Sequence, residues 1–188
     1  MTPFASYHRA IEQRGLGIIF LLIAFILTSC VTARDIPESG ANHMIRDVPF
    51  YPGEDNQCGP VSLAGVLNYW GVPVTPEEIA GDVFSASAGG TLNIDMVIYP
   101  QKKGLHAEQY TGSMDDIRKN IDRGYPLIVL VDYGFSFFQR NHFMVIVGYN
   151  EDGVIVNSGD KREKMIPLDN FLRTWRRTNF WTLLIKKV

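Results

Sequence analysis

Cysteine is nearly absent from this chain: two occur in 188 residues, Cys30 and Cys58. A framework of several disulfides is therefore excluded. Also missing is an apolar run long enough for an ordinary membrane span, which needs about 20 residues. The longest run, Leu16 to Leu27, has twelve. Charge of one sign is not concentrated either: the formal net charge is -2, and Lys and Arg are scattered rather than striped. That removes the electrostatic footprint of a nucleic-acid binder. No ligand spacing of the zinc kind, no glycine-rich phosphate loop and no internal repeat occurs, so neither a metal nor another cofactor is expected.

At 188 residues and 46% hydrophobic content, the chain has the length of one catalytic-sized domain plus a short extension. Residues 1 to 15 carry Arg9 and Arg14 against one acid, Glu12, and lead into the apolar run. These are the charged and apolar parts of a secretory signal. The run ends in Leu27-Thr28-Ser29-Cys30, which resembles the bacterial lipoprotein box. In that box a cysteine after small residues is diacylated and becomes the new N-terminus, so the resemblance implies a signal peptide over 1–29 and lipidation of Cys30. Two acyl chains anchor a protein stably at a membrane where one is marginal. Val31 in place of aspartate implies, by the same resemblance, the outer membrane facing the periplasm if the organism has two membranes. Residues 30–44, with Pro37, Ser39 and Gly40, read as the lipidated tether, and residues 45–188 as the domain. The plain alternative is a disulfide joining the two cysteines. If Cys30 is acylated, Cys58 has no such partner, and a free thiol in an oxidising compartment is a liability unless buried or used.

Within the domain, a first helix is predicted over Cys58 to Trp70, with Pro60 in its opening turn and Gly71 as its stop. Its apolar residues run most of the way round, which marks a central buried helix. Thr75 and Glu78 form a capping box for a second helix. Asn93 to Lys103 and Ser113 to Arg123 read as helices, and Leu105 to Tyr110 as a short strand. From Tyr125 the pattern turns to β: Pro126 to Val131, His142 to Tyr149 and Gly153 to Asn157, with Asp152-Gly153 as a hairpin signal. A helix near Leu168 to Trp175 and a strand from Trp181 to Ile185 follow. Helices first and antiparallel strands afterwards indicate an α+β domain.

Cys58 opens the central helix. Unpaired N–H groups and the positive helix end favour an anion there, and thiolate is the attacking form of cysteine. Taken alone, Cys58 reads better as a small buried apolar residue than as a nucleophile, and it is a histidine and an amide later in the chain that turn the balance. Of the four histidines, His8 lies in the signal and His43 in the tether, leaving His106 and His142. His142 opens an apolar strand, where an imidazole can face a cleft and take the thiol proton. A base needs a third group to fix its ring, and Asn157, at the end of the next strand, is the candidate. Strand alternation and an even loop put the two on one sheet face, although a tight turn at Asp152-Gly153 sets Asn157 level with Gly148.

The stretch from His142 to Gly159 resembles the histidine and asparagine segment of papain-like cysteine peptidases, with nearly the same spacing. Val48-Pro49-Phe50, Gln57-Cys58-Gly59-Pro60, Leu67-Asn68-Tyr69-Trp70-Gly71, Gly90-Thr91-Leu92 and the late Phe171 with Trp175 are similar to one branch of that clan, the peptidases that cut bacteriocin leaders after double glycine. The resemblance implies a papain-like fold, with N-terminal helices packed on a C-terminal antiparallel sheet, and a Cys58–His142–Asn157 triad acting on a peptide or protein substrate. The clan's oxyanion-hole glutamine falls five or six residues before the cysteine, where this chain has Gly53 and Pro52. Gln57 is the nearby glutamine, and loss of one donor commonly costs about 10²- to 10³-fold in rate.

Three functions fit these residues: a thiol peptidase, an acyltransferase or amidase on the same triad, and a non-catalytic peptide-binding module on a decayed peptidase scaffold. Gly89-Gly90 reads as a flexible loop before a helix rather than a self-processing site. Phe135, Phe137 and Phe138, in the loop before His142, read equally as substrate contacts or as core.

Overall fold

Helix α1, Cys58–Tyr69, forms where the sequence places it. Pro60 sits in the first turn, where its missing N–H costs nothing, and Gly71 stops the helix at φ 80°, a left-handed conformation that suits glycine. Residues Gly59 through Leu67 are buried without a break, as a helix apolar on all sides must be. The computed structural model describes residues 42–53 and 55–188. The signal peptide, Cys30 and all but the end of the tether lie outside the described residues.

Around α1 pack α2 (Pro76–Val83) and α3 (Asn93–Lys102). The capping box of α2 is complete: Thr75 Oγ accepts from the Glu78 N–H at 3.2 Å, and the Glu78 carboxylate accepts from the Thr75 N–H at 2.9 Å. Ser113 caps α4 (Met114–Asp122) by accepting from the Asp116 N–H. A last helix, α5 (Leu168–Arg176), buries Phe171 and Trp175, whose rings stack.

The described strands are β1 (His43–Met44), β2 (Phe84–Ser85), β3 (Gly90–Thr91), β4 (His106–Thr111), β5 (Leu127–Asp132), β6 (Asn141–Tyr149), β7 (Gly153–Ser158), β8 (Lys161–Pro167) and β9 (Trp181–Lys186). The main sheet runs β4-β9-β5-β6-β7-β8, with β1 also paired to β6, and all its pairings are antiparallel. Strands β2 and β3 form a separate small hairpin. This is the α+β, papain-like arrangement expected. The sequence reading had not placed β8 or the β2–β3 hairpin as strands. His43 and Met44, expected in the tether, pair with Tyr149 and Gly148, and His43 stacks on the Tyr149 ring.

The β6–β7 register decides which side chains meet. Tyr149 pairs with Val154 and Gly148 with Ile155, but a bulge follows, and Ile146 then pairs with Val156 and Val145 with Asn157. Val147 is the extra residue, and its carbonyl accepts from the Ile45 N–H at 2.8 Å. One inserted residue moves every later side chain of the pair to the other face.

Candidate active site

Cys58 is the first residue of α1, half-buried, and preceded by a 3-10 turn, Asp55–Gln57. The chain must come very close here. A Cβ on Gly59 would lie 2.6 Å from Thr91 Oγ1, so only glycine lets β3 cross the helix tip. Thr91 Oγ1 is itself buried with no hydrogen-bond partner among the described residues.

Cys58 lines a cavity of about 850 Å³ together with Asn56, the Ala88–Asn93 segment, Ile94, Gln139, Arg140, Asn141 and Phe143. Asn141 and Phe143 are the two neighbours of His142. An adjoining cavity of about 270 Å³ holds His142 itself with Tyr133, Ser158 and Lys161, and the two cavities share Arg140 and Asn141 as a common wall. Gln57, the expected oxyanion donor, is exposed at the helix start.

His142 is 7% exposed. Its Nε2 lies 2.9 Å from Ser158 Oγ, and the Tyr133 ring packs on it at 5.8 Å between centroids. Asn157 sits opposite Val145, three positions from His142 along β6. Through the bulge, strand alternation therefore gives Ser158, not Asn157, the face of His142. The Asn157 oxygen accepts from the Glu163 N–H at 2.9 Å, and Glu163 has φ 52° at an irregularity in the β7–β8 pairing. The structure thus brings His142 and Ser158 into hydrogen-bond contact and gives the Asn157 carboxamide to β8. Sequence reasoning missed Ser158 because the pattern of β6 carries no mark of a bulge at Val147. His106, the other histidine weighed as a base, lies 3.6 Å from Glu108 on β4.

Cys58 at a helix tip and His142 near the start of a strand of the main sheet both lie within the span of a known family model. A profile described as the Peptidase_C39 like family matches residues 45–182. The chain belongs to the Peptidase_C39-like family. Among curated proteins it is 33% identical over 97 residues to an uncharacterised protein of Methanothermobacter thermautotrophicus, covering 52% of this chain and 61% of that one. The match thus spans under two thirds of that relative's length.

Solved C39 domains carry the same fold. A C39-like peptidase structure from Bacillus anthracis superposes with a TM-score of 0.68 at 18% identity, covering 79% of this chain and 98% of that one. The peptidase domain of Streptococcus ComA, a bifunctional ABC transporter of a quorum-sensing pathway, gives 0.63 at 18% identity, covering 76% and 100%. A double glycine motif protease from an AMS/PCAT transporter, solved with its leader peptide, gives 0.61 at 26% identity, covering 76% and 93%.

Proposed function

We propose that this C39-like chain is an envelope-anchored cysteine peptidase in which Cys58 attacks a peptide carbonyl and His142 moves the proton. The observation that carries the reading is the placing of Cys58 at the tip of α1, in a cavity that shares Arg140 and Asn141 as a wall with the cavity holding His142. His142 takes the thiol proton, and the thiolate gains from the helix end and from the imidazolium. Attack forms a carbon–sulfur bond and an oxyanion, which the Cys58 backbone N–H receives; Gln57 is the candidate second donor, and Asn56 is another amide on the cavity wall. The oxyanion collapses, His142 protonates the leaving amine, and water, deprotonated by His142, releases the acyl group from sulfur.

Ser158 accepts from His142 Nε2–H in this scheme, which leaves Nδ1 for the thiol. A hydroxyl steadies an imidazolium less than a carboxylate does, so the thiolate is correspondingly less favoured. Asn157 is a positioning residue that acts one step back, by holding the β7–β8 irregularity beside Ser158. Lipidation of Cys30 brings the domain to the envelope, and the substrate is a peptide or protein, as with the leader peptide bound by the AMS/PCAT protease.

The test is to incubate the full-length protein with an envelope-peptide mixture and map new termini by mass spectrometry. The wild type produces cleavages that Cys58→Ala lacks; identical maps contradict the peptidase reading. Pro52 and Gly53, where the clan's glutamine is expected, favour the binding-module reading. A wild type that retains peptides and leaves them whole identifies it. Products joined to an acceptor other than water identify a transferase on the same acyl-enzyme.

A further inference from the structure

The loop between β5 and β6 carries three phenylalanines turned out to solvent: Phe135, Phe137 and Phe138 are 87%, 94% and 80% exposed. Among the described residues the next most exposed large aromatic, Tyr133, is at 45%. Single exposed apolar residues are ordinary, whereas a contiguous cluster marks an interaction surface.

This loop is built to hold them out. Phe135 pairs with Phe138 across a turn, with the Phe138 N–H donating to the Phe135 carbonyl at 3.0 Å and Ser136 at φ 54°. Its neck is closed by one carboxylate. Asp132 Oδ1 accepts from the Gly134 N–H at 2.7 Å and the Arg140 N–H at 2.8 Å, while Oδ2 is held by Arg177 at 2.9 Å. Burial opposes ionisation of Asp132, but the two N–H groups and the guanidinium outweigh it and keep the carboxyl below the usual range. A tip ordered beforehand loses little freedom on binding.

The three rings are not part of the Cys58 cavity wall. From this loop that wall takes Gln139, Arg140 and Asn141. We propose that the Phe135–Phe138 hairpin is a wedge that inserts into the headgroup–acyl boundary of an anionic lipid bilayer. Charge favours this occupant: Arg140, Lys161 and Lys164 line the cavity at the base of the loop, and among the described lining residues the acid is Asp160, which pairs with Lys161 at 3.1 Å. An excess of positive charge at the base of an apolar tip suits anionic headgroups over acyl chains.

Cys58 then opens beside the membrane surface. The inference is independent of the peptidase chemistry and rests on the lipid-anchor reading of Cys30 for delivery of the domain to a bilayer.

The test uses the full-length protein on vesicles of phosphatidylcholine and phosphatidylglycerol, with Phe137→Trp as a depth reporter and bromine-labelled acyl chains as quencher. Intact mass reports acylation of Cys30, and flotation reports anchoring. The wedge predicts a blue-shifted, quenched indole at position 137, roughly twofold or more beyond the quenching of the parent protein's own tryptophans; Phe135→Ser with Phe138→Ser reverses most of it. Lys161→Glu with Lys164→Glu weakens it on these vesicles. An acylated, floating protein whose residue-137 indole is unquenched overturns the wedge and leaves the anchor standing. An unacylated protein that fails to float removes the anchor reading, and the wedge with it.

Discussion

Replacing Ser158 by alanine separates two ways of orienting His142. The hydroxyl lies 2.9 Å from Nε2 of a ring only 7% exposed. Removing it takes that partner from a buried nitrogen, at a cost of about 1–3 kcal/mol. If the bond steadies the imidazolium that accompanies the thiolate, Cys58 reactivity falls roughly 5- to 150-fold. Asn157→Ala acts elsewhere: it leaves the Glu163 N–H without its acceptor, and stability falls by about 1–3 kcal/mol with a smaller change in reactivity. The assay pairs the initial rate of iodoacetamide alkylation of Cys58 at pH 7 with the urea midpoint of each variant. Fast alkylation in Ser158→Ala, with strongly slowed alkylation in a folded Asn157→Ala, refutes the register argument.

Three further outcomes are expected. Thr91→Val keeps the side chain's shape and removes a hydroxyl whose buried oxygen has no partner among the described residues, so the urea midpoint rises, by about 1 kcal/mol in stability; a fall of that size contradicts the close contact with Gly59. Asp132 has a folded pKa below its unfolded value of about 3.9. Its contribution is therefore present above that value and is lost as pH falls through the folded pKa. Asp132→Asn is less stable than wild type at pH 7, and denaturation curves show the gap closing in acid; a gap constant with pH shows that the charge is not what holds the neck. Thr75→Ala breaks the capping box and lowers stability by about 1 kcal/mol, read from the same curves; an unchanged midpoint shows the cap contributes nothing.

Local rules located most of these elements. Gly71 stops α1 because it reaches the left-handed region cheaply, Thr75 and Glu78 announce α2 by their own chemistry, and β5 and β6 are too apolar to lie anywhere but in a core. Strand β8 was hidden because Lys161, Arg162, Glu163 and Lys164 are exposed in succession and show no alternation. The site was legible in part. Cys58 and His142 stand at the ends of elements that propensity could find, whereas the partner of His142 depends on parity between two strands. Parity turns on a single inserted residue, and Val147 looks like any other valine in an apolar run. The three phenylalanines were ambiguous because composition does not separate core from tip. The turn at Ser136 and the neck at Asp132 turn them outward.

The pH profile of Cys58 alkylation, compared between wild type and His142→Ala in the full-length protein, tests the proposed pairing most directly. A helix-tip thiolate accompanied by an imidazolium predicts one label per chain and a rate that persists well below the pKa of an ordinary thiol, about 8.5. In His142→Ala that low-pH reactivity collapses. A wild-type profile that falls away like a free thiol's, and that His142→Ala leaves unchanged, contradicts the account.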